Sequence, residues 1–184
     1  KNYNQAINDF NAAIKFNDGL ADAFNNLGSS YREIGENDKA LENYKRAIEL
    51  NVNFPDAHNN LGNMLRKQDR LEASEKSLRQ AIEYKKDYAD AYFNLGITLQ
   101  NQKRLNESEI SLRKALSIKP EYAESSNNLG NAYQEMGNLE EALEAFEKAI
   151  SIEPNDAVFW NNIFFPLQAL KAKDLHDENL TSYY

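Results

Sequence analysis

Apolar residues along this chain fall at helical spacing, in pairs of stripes. Phe24, Leu27, Gly28 and Tyr31 stand at i, i+3, i+4 and i+7, which is one face of a helix. Ala40, Leu41, Tyr44, Ala47 and Ile48 make a second stripe. Between the two, Gly35-Glu36-Asn37-Asp38 reads as a helix stop followed by an N-cap candidate, and Gly137-Asn138 does the same further on. The unit recurs. Leu-Gly appears at Leu27-Gly28, Leu61-Gly62, Leu95-Gly96 and Leu129-Gly130, always 34 residues apart. A large residue stands four before the glycine in three copies (Phe24, His58, Tyr92), with Ser126 in the fourth, and Tyr31, Leu65, Leu99 and Tyr133 stand three after it. The second stripe repeats as Ala40, Ser74, Ser108 and Ala142, then Tyr44, Leu78, Leu112 and Phe146, then Ala47, Ala81, Ala115 and Ala149.

Glycine inside a helix costs ~1 kcal/mol against alanine, so four in register need a packing reason. Close approach of two helices supplies it. The small residues Ala40, Ser74, Ser108 and Ala142 are the expected other side of that contact.

This repeat resembles the tetratricopeptide repeat family: a 34-residue period, a large–Leu-Gly–Tyr first helix and an Ala–aromatic–Ala second helix. Pro120 and Pro154 match the family's closing proline, whereas Val52 and Lys86 stand there in the first two copies. The resemblance covers roughly residues 1–170. It implies an all-α fold, a right-handed superhelical solenoid of antiparallel helix pairs. The expected registers are 21–54, 55–88, 89–122 and 123–156, with residues 1–20 a lone second helix and 157–184 a terminal helix and tail. In that last helix Phe164 replaces the glycine, and Pro166 is expected to kink or end it. A chain starting mid-repeat exposes an apolar face, which predicts either a fragment of a longer protein or a homo-oligomeric contact.

With the core stripe assigned, the opposite side of each first helix faces a concave groove. It carries Asp22, Asn25, Asn26, Ser29 and Glu33; Asp56, Asn59, Asn60, Asn63 and Lys67; Asp90, Phe93, Asn94, Ile97 and Asn101; and Glu124, Asn127, Asn128, Asn131 and Glu135. An asparagine precedes every glycine register by two residues: Asn26, Asn60, Asn94, Asn128 and Asn162. Asparagine is a poor interior helix residue, at ~0.6 kcal/mol against alanine. Summed along the row the cost reaches about 5 kcal/mol, comparable with the whole stability of a marginal domain. A carboxamide offers two donors and an acceptor, so a row of them suits the amides and carbonyls of an extended peptide. The row looks like the asparagine ladder in the repeat arrays of O-linked N-acetylglucosamine transferases, a resemblance that implies a backbone-gripping role for these five residues. Two alternatives stand beside it: bonding between adjacent repeats, and simple inheritance through duplication. Phe93, Ile97 and Phe165 put apolar surface into the same groove.

The expected function is a non-enzymatic protein- or peptide-binding scaffold for an extended polypeptide. The rivals are the substrate-recognition arm of a larger glycosyl- or sulfotransferase, and a self-associating array. A chaperone-type carboxylate clamp is disfavoured, because the first two turns of the first helices carry no basic residue; Arg32, Arg66 and Lys67 come later. The entrance acids Asp22, Asp56, Asp90 and Glu124 suit basic or neutral partners, or simply the helix dipole.

Composition removes other classes. The chain has 184 residues, 41% hydrophobic and 27% charged, which is enough for a packed core. A net charge of -8 argues against unspecific binding to nucleic acid or anionic membranes. No apolar run approaches the ~20 residues of a membrane span. The first residues, Lys1 to Gln5, are polar and carry no signal-peptide pattern. With no cysteine there are no disulfides or thiolate metal sites, which fits a cytoplasmic protein. No catalytic motif, metal constellation or cofactor site emerges. His58 takes a core slot, and His176 with Asp174, Asp177 and Glu178 reads as a solvated acidic tail. The sequons at Asn106 and Asn179 read as chance in a chain this rich in asparagine.

Overall fold

The computed structural model describes the backbone of residues 2–181 and the side chains of residues 2–172. Among these the chain is entirely helical: α1(Tyr3–Phe16), α2(Ala21–Glu33), α3(Asn37–Leu50), α4(Pro55–Lys67), α5(Leu71–Tyr84), α6(Ala89–Asn101), α7(Leu105–Ile118), α8(Ala123–Met136), α9(Leu139–Ile152) and α10(Ala157–Thr181). They form two compact units, Lys1–Thr98 and Leu99–Tyr184. In the first, α2 packs on α3 and α4 on α5 as antiparallel hairpins, with α1 against α2 and α3 against α4. In the second, α8 packs on α9, with α7 against α8 and α9 against α10.

The glycine register is where paired helices meet. A methyl group added at Gly28 would lie 2.8 Å from the Tyr44 ring and 3.1 Å from the Ala40 carbonyl. At Gly62 it would meet Leu78 at 2.6 Å and the Ser74 carbonyl at 3.2 Å, and at Gly130 the Phe146 ring at 2.6 Å. At Gly28 and Gly62 the small residue of the second helix contributes its backbone carbonyl to this contact. The large residue one turn on fills the space the missing Cβ leaves, and Tyr44, Leu78 and Phe146 are all fully buried. Around the first of these, Ala40, Leu41, Met64 and Leu65 close the core. In the second unit Ala123, Ala149 and Phe159 do so.

The turn inside each hairpin also has one design. Gly35, Asp69, Lys103 and Gly137 stand 34 residues apart and all take left-handed φ, from 58° to 83°. Each is followed by the two backbone bonds of a Schellman stop. Gly35 N–H reaches the Arg32 carbonyl and Glu36 N–H the Tyr31 carbonyl, and the same pair recurs at Asp69/Arg70, Lys103/Arg104 and Gly137/Asn138. The N-cap expected at Asn37-Asp38 falls instead on Glu36, which makes no side-chain cap bond. Only Ile34, Gly35 and Glu36 lie between α2 and α3, so Glu36 both completes the Schellman stop and caps the next helix.

Helix α10 runs on through Pro166 rather than ending there. Phe159, Ile163 and Pro166 are buried at i, i+4 and i+7, and packing along that face offsets the lost backbone bond. No helix among the described residues is long and apolar enough to cross a membrane.

Candidate polypeptide-binding face

The asparagines interlock. Asn60 Nδ2 donates to Asn25 Oδ1 at 3.0 Å, and Asn94 Nδ2 donates to Asn59 Oδ1 at 2.9 Å. In the second unit Asn162 Nδ2 donates to Asn127 Oδ1 at 2.9 Å. Each bond spans 35 residues, so the second asparagine of one doublet reaches the first position of the doublet before it. Asn128 is different. Its Nδ2 donates to the Glu124 carbonyl of its own helix at 2.7 Å, and in sequence Phe93 rather than an asparagine stands 35 residues before it.

Burial divides the row. Asn25, Asn59, Asn94 and Asn127 are buried. Asn60, Asn63, Asn128, Asn131 and Asn162 are half-buried, and Asn26 is exposed. Phe93 and Ile97 are half-buried and Phe165 is exposed. The sequence pattern marks these asparagines as a set. It does not show that the acceptors lie beneath the donors, because that follows from how successive first helices stack. A hydroxyl bond adds to the same stacking: buried Ser74 Oγ lies 3.1 Å from Thr98 Oγ1.

The two edges of this face carry opposite features. At the N-terminal edge, Tyr88 donates to Asp56 Oδ1 at 2.5 Å. Burial, and then the Asp56 carboxylate, push the Tyr88 phenol far above its ordinary value. At the C-terminal edge of α2, Arg32 pairs with Glu33 at 2.8 Å. The equivalent residue of α4, Arg66, has Lys67 where Glu33 stands. Its Nη2 donates to Asn63 Oδ1 at 2.7 Å, while its Nε is buried without a partner. Burial draws the guanidinium below its ordinary pKa. Arg66 stands late in its helix, outside the expected set, and its signal in the sequence is Lys67 at the place where α2 has Glu33.

Away from the asparagines, buried His58 holds the Val52 carbonyl through Nε2 at 2.8 Å and meets the Tyr84 ring in a tilted contact, centroids 5.6 Å apart. Ser126, in the slot other copies fill with a ring, is buried with its Oγ unpartnered, beside a cleft of about 370 Å3 lined by Leu129, Tyr133 and Arg113. No group of acidic or histidine side chains among the described residues could hold a metal ion. Asp174, His176, Asp177, Glu178 and Asn179 lie outside the described side chains.

First helices at a 34-residue period, with the same glycine contact at Gly28, Gly62 and Gly130 and the same Schellman stop at Gly35, Asp69, Lys103 and Gly137, are the geometry of one repeat class. Models of the TPR repeat match residues 28–69 and 62–103, and models of the tetratricopeptide repeat match 89–122 and 123–156. The chain belongs to the tetratricopeptide repeat family. The solved structure of MamA is similar at 28% identity, with a TM-score of 0.74 over 83% of this chain and 89% of that one. YrrB, described as a TPR protein with an unusual peptide-binding site, is 25% identical, with a TM-score of 0.71 over 92% of this chain and 84% of its own. PilF of Pseudomonas aeruginosa is 25% identical, with a TM-score of 0.76 over 83% of this chain and 69% of its own. No curated protein sequence matches the chain.

Proposed function

We propose that this tetratricopeptide array is a non-enzymatic scaffold that holds an extended polypeptide along its asparagine face. The observation that carries the reading is how the carboxamides are used. Each interlocking bond occupies one N–H of the donor and one lone pair of the acceptor, so the donors keep their carbonyl oxygen and a second N–H. Of these donors Asn60 and Asn162 are half-buried, and Asn128 and Asn131 are half-buried and Asn26 exposed without an interlocking bond, so amide capacity reaches the surface along the row. An amide held in place by a neighbour loses less rotamer freedom when it meets a ligand, which favours binding. The likeness to the asparagine ladders of O-linked N-acetylglucosamine transferases, and the peptide-binding site named for YrrB, support the same reading.

A second reading rests on the same bonds: the amides tie neighbouring first helices and stiffen the array. The two are separated by choosing asparagines whose side chains make no bond between helices, the Gln100 bond to Asn128 being to its backbone carbonyl. Binding of extended peptides on an array is compared for the wild-type chain and an Asn26/Asn128/Asn131→Ala variant, with melting followed for both. The expected result is binding by the wild type, loss of at least tenfold in the variant, and unchanged melting. Absent binding, or binding unchanged in the variant, leaves the stiffening role alone.

A further inference from the structure

The asparagine row reads no side chain, yet one cation on the same face is built differently from its surroundings. Asn59, Asn63 and Arg66 stand at i, i+4 and i+7 of α4, so Arg66 extends the asparagine row toward the helix end. In a chain of net charge -8, this guanidinium has no carboxylate partner among the described residues. Its counterpart Arg32 pairs with Glu33, and the surface arginines Arg46, Arg79 and Arg113 each pair with a glutamate within 3.0 Å. Arg66 instead has Lys67 beside it, Asn63 Oδ1 on one nitrogen, and a buried Nε with no partner. A partly desolvated charge without a counter-ion is destabilising on its own. Asn63 fixes one arm of the fork, which leaves the planar, multi-donor arrangement that carboxylates match.

We propose that Arg66, oriented by Asn63 and reinforced by Lys67, takes an internal aspartate or glutamate side chain of the bound polypeptide. This deepens the peptide-binding reading and rests on it. The asparagines hold backbone at every register, and the Arg66 position selects an acidic residue at one of them. The acids Asp22, Asp56 and Asp90 lie at the opposite, N-terminal end of the same helices. A bound strand therefore meets negative charge along one edge and, at α4, positive charge along the other.

The test is a positional-scanning library of C-terminally amidated twelve-residue peptides, run against the wild-type chain, Arg66→Gln and Arg66→Lys. The wild type is expected to enrich Asp and Glu at a single register. Changing that residue to Asn or Gln should weaken binding about tenfold, the scale of one charge-assisted hydrogen bond. Arg66→Gln should bind the acidic and amide peptides within twofold of each other. Arg66→Lys should recover only part of the preference, since it keeps the charge and loses the fork. A parallel melting curve is expected to show Arg66→Gln no less stable than the wild type. Peptides bound without acidic preference, or a preference that survives Arg66→Gln, overturn the Arg66 assignment and leave the asparagine reading standing. So does an acidic preference seen only when the same library carries free C-termini, and so does a clear fall in melting temperature. No binding of any library peptide removes both.

Discussion

Asn94 and Asn128 occupy the same register of successive repeats and use their amides differently. Asn94 reaches the neighbouring first helix at Asn59, whereas Asn128 bonds the Glu124 carbonyl of its own helix. The two residues share the flanking Leu-Gly, and in sequence the position 35 residues earlier is asparagine in one case and Phe93 in the other. Identical residues at one register of the sequence thus do not make identical bonds. The hydrophobic register behaves in the opposite way. Gly62 against Leu78 and Gly130 against Phe146 reach the same close contact with different side chains, because volume is matched on each side without any requirement for a particular donor or acceptor.

The largest expected effect therefore lies where the two regions agree. Leu78→Ala and Phe146→Ala should each cost about 3–5 kcal/mol, since both side chains are fully buried against a glycine that cannot fill the void. Chemical denaturation of each variant measures this, and a loss below about 1 kcal/mol in either would break the equivalence of the two contacts. Next comes the contrast itself. Asn94→Ala removes the donor from buried Asn59 and should cost about 1–3 kcal/mol. Asn128→Ala removes only a bond to its own helix and should stay within about 0.5 kcal/mol. Equal losses at the two sites in thermal melts would show that the bond between helices has no worth of its own.

The smallest effect concerns the turns. Gly137→Ala puts a Cβ into a left-handed residue and should lose about 1 kcal/mol. Asp69→Gly, at the same turn register, relieves such a residue and should gain up to about 1 kcal/mol. Melting temperatures that move in opposite directions confirm that one turn geometry serves both regions, and a shift in the same direction would refute it.

Much of this was legible in the residues. The 34-residue spacing of Leu-Gly gave the pairing of helices, since glycine in a helix interior is unfavourable unless something packs against it. The glycines of two turns marked left-handed positions, but Asp69 and Lys103 take the same φ without advertising it, because the Schellman bonds are made by backbone alone. Pro166 reads locally as a breaker, yet α10 continues through it, since burial of neighbouring residues is not visible to a rule about one residue's missing N–H.

By itself, the sequence determined the period, the identity of the close-packed register and the existence of an asparagine row, all of which are set by spacing along one helix. Only the tertiary structure decided which amide meets which acceptor, that Asn25, Asn59 and Asn127 are buried beneath the row, and that Arg66 has no carboxylate partner among the described residues. Those facts depend on contacts between helices more than thirty residues apart, where a hydrogen bond or an ion pair exists only if both partners arrive within about 3 Å.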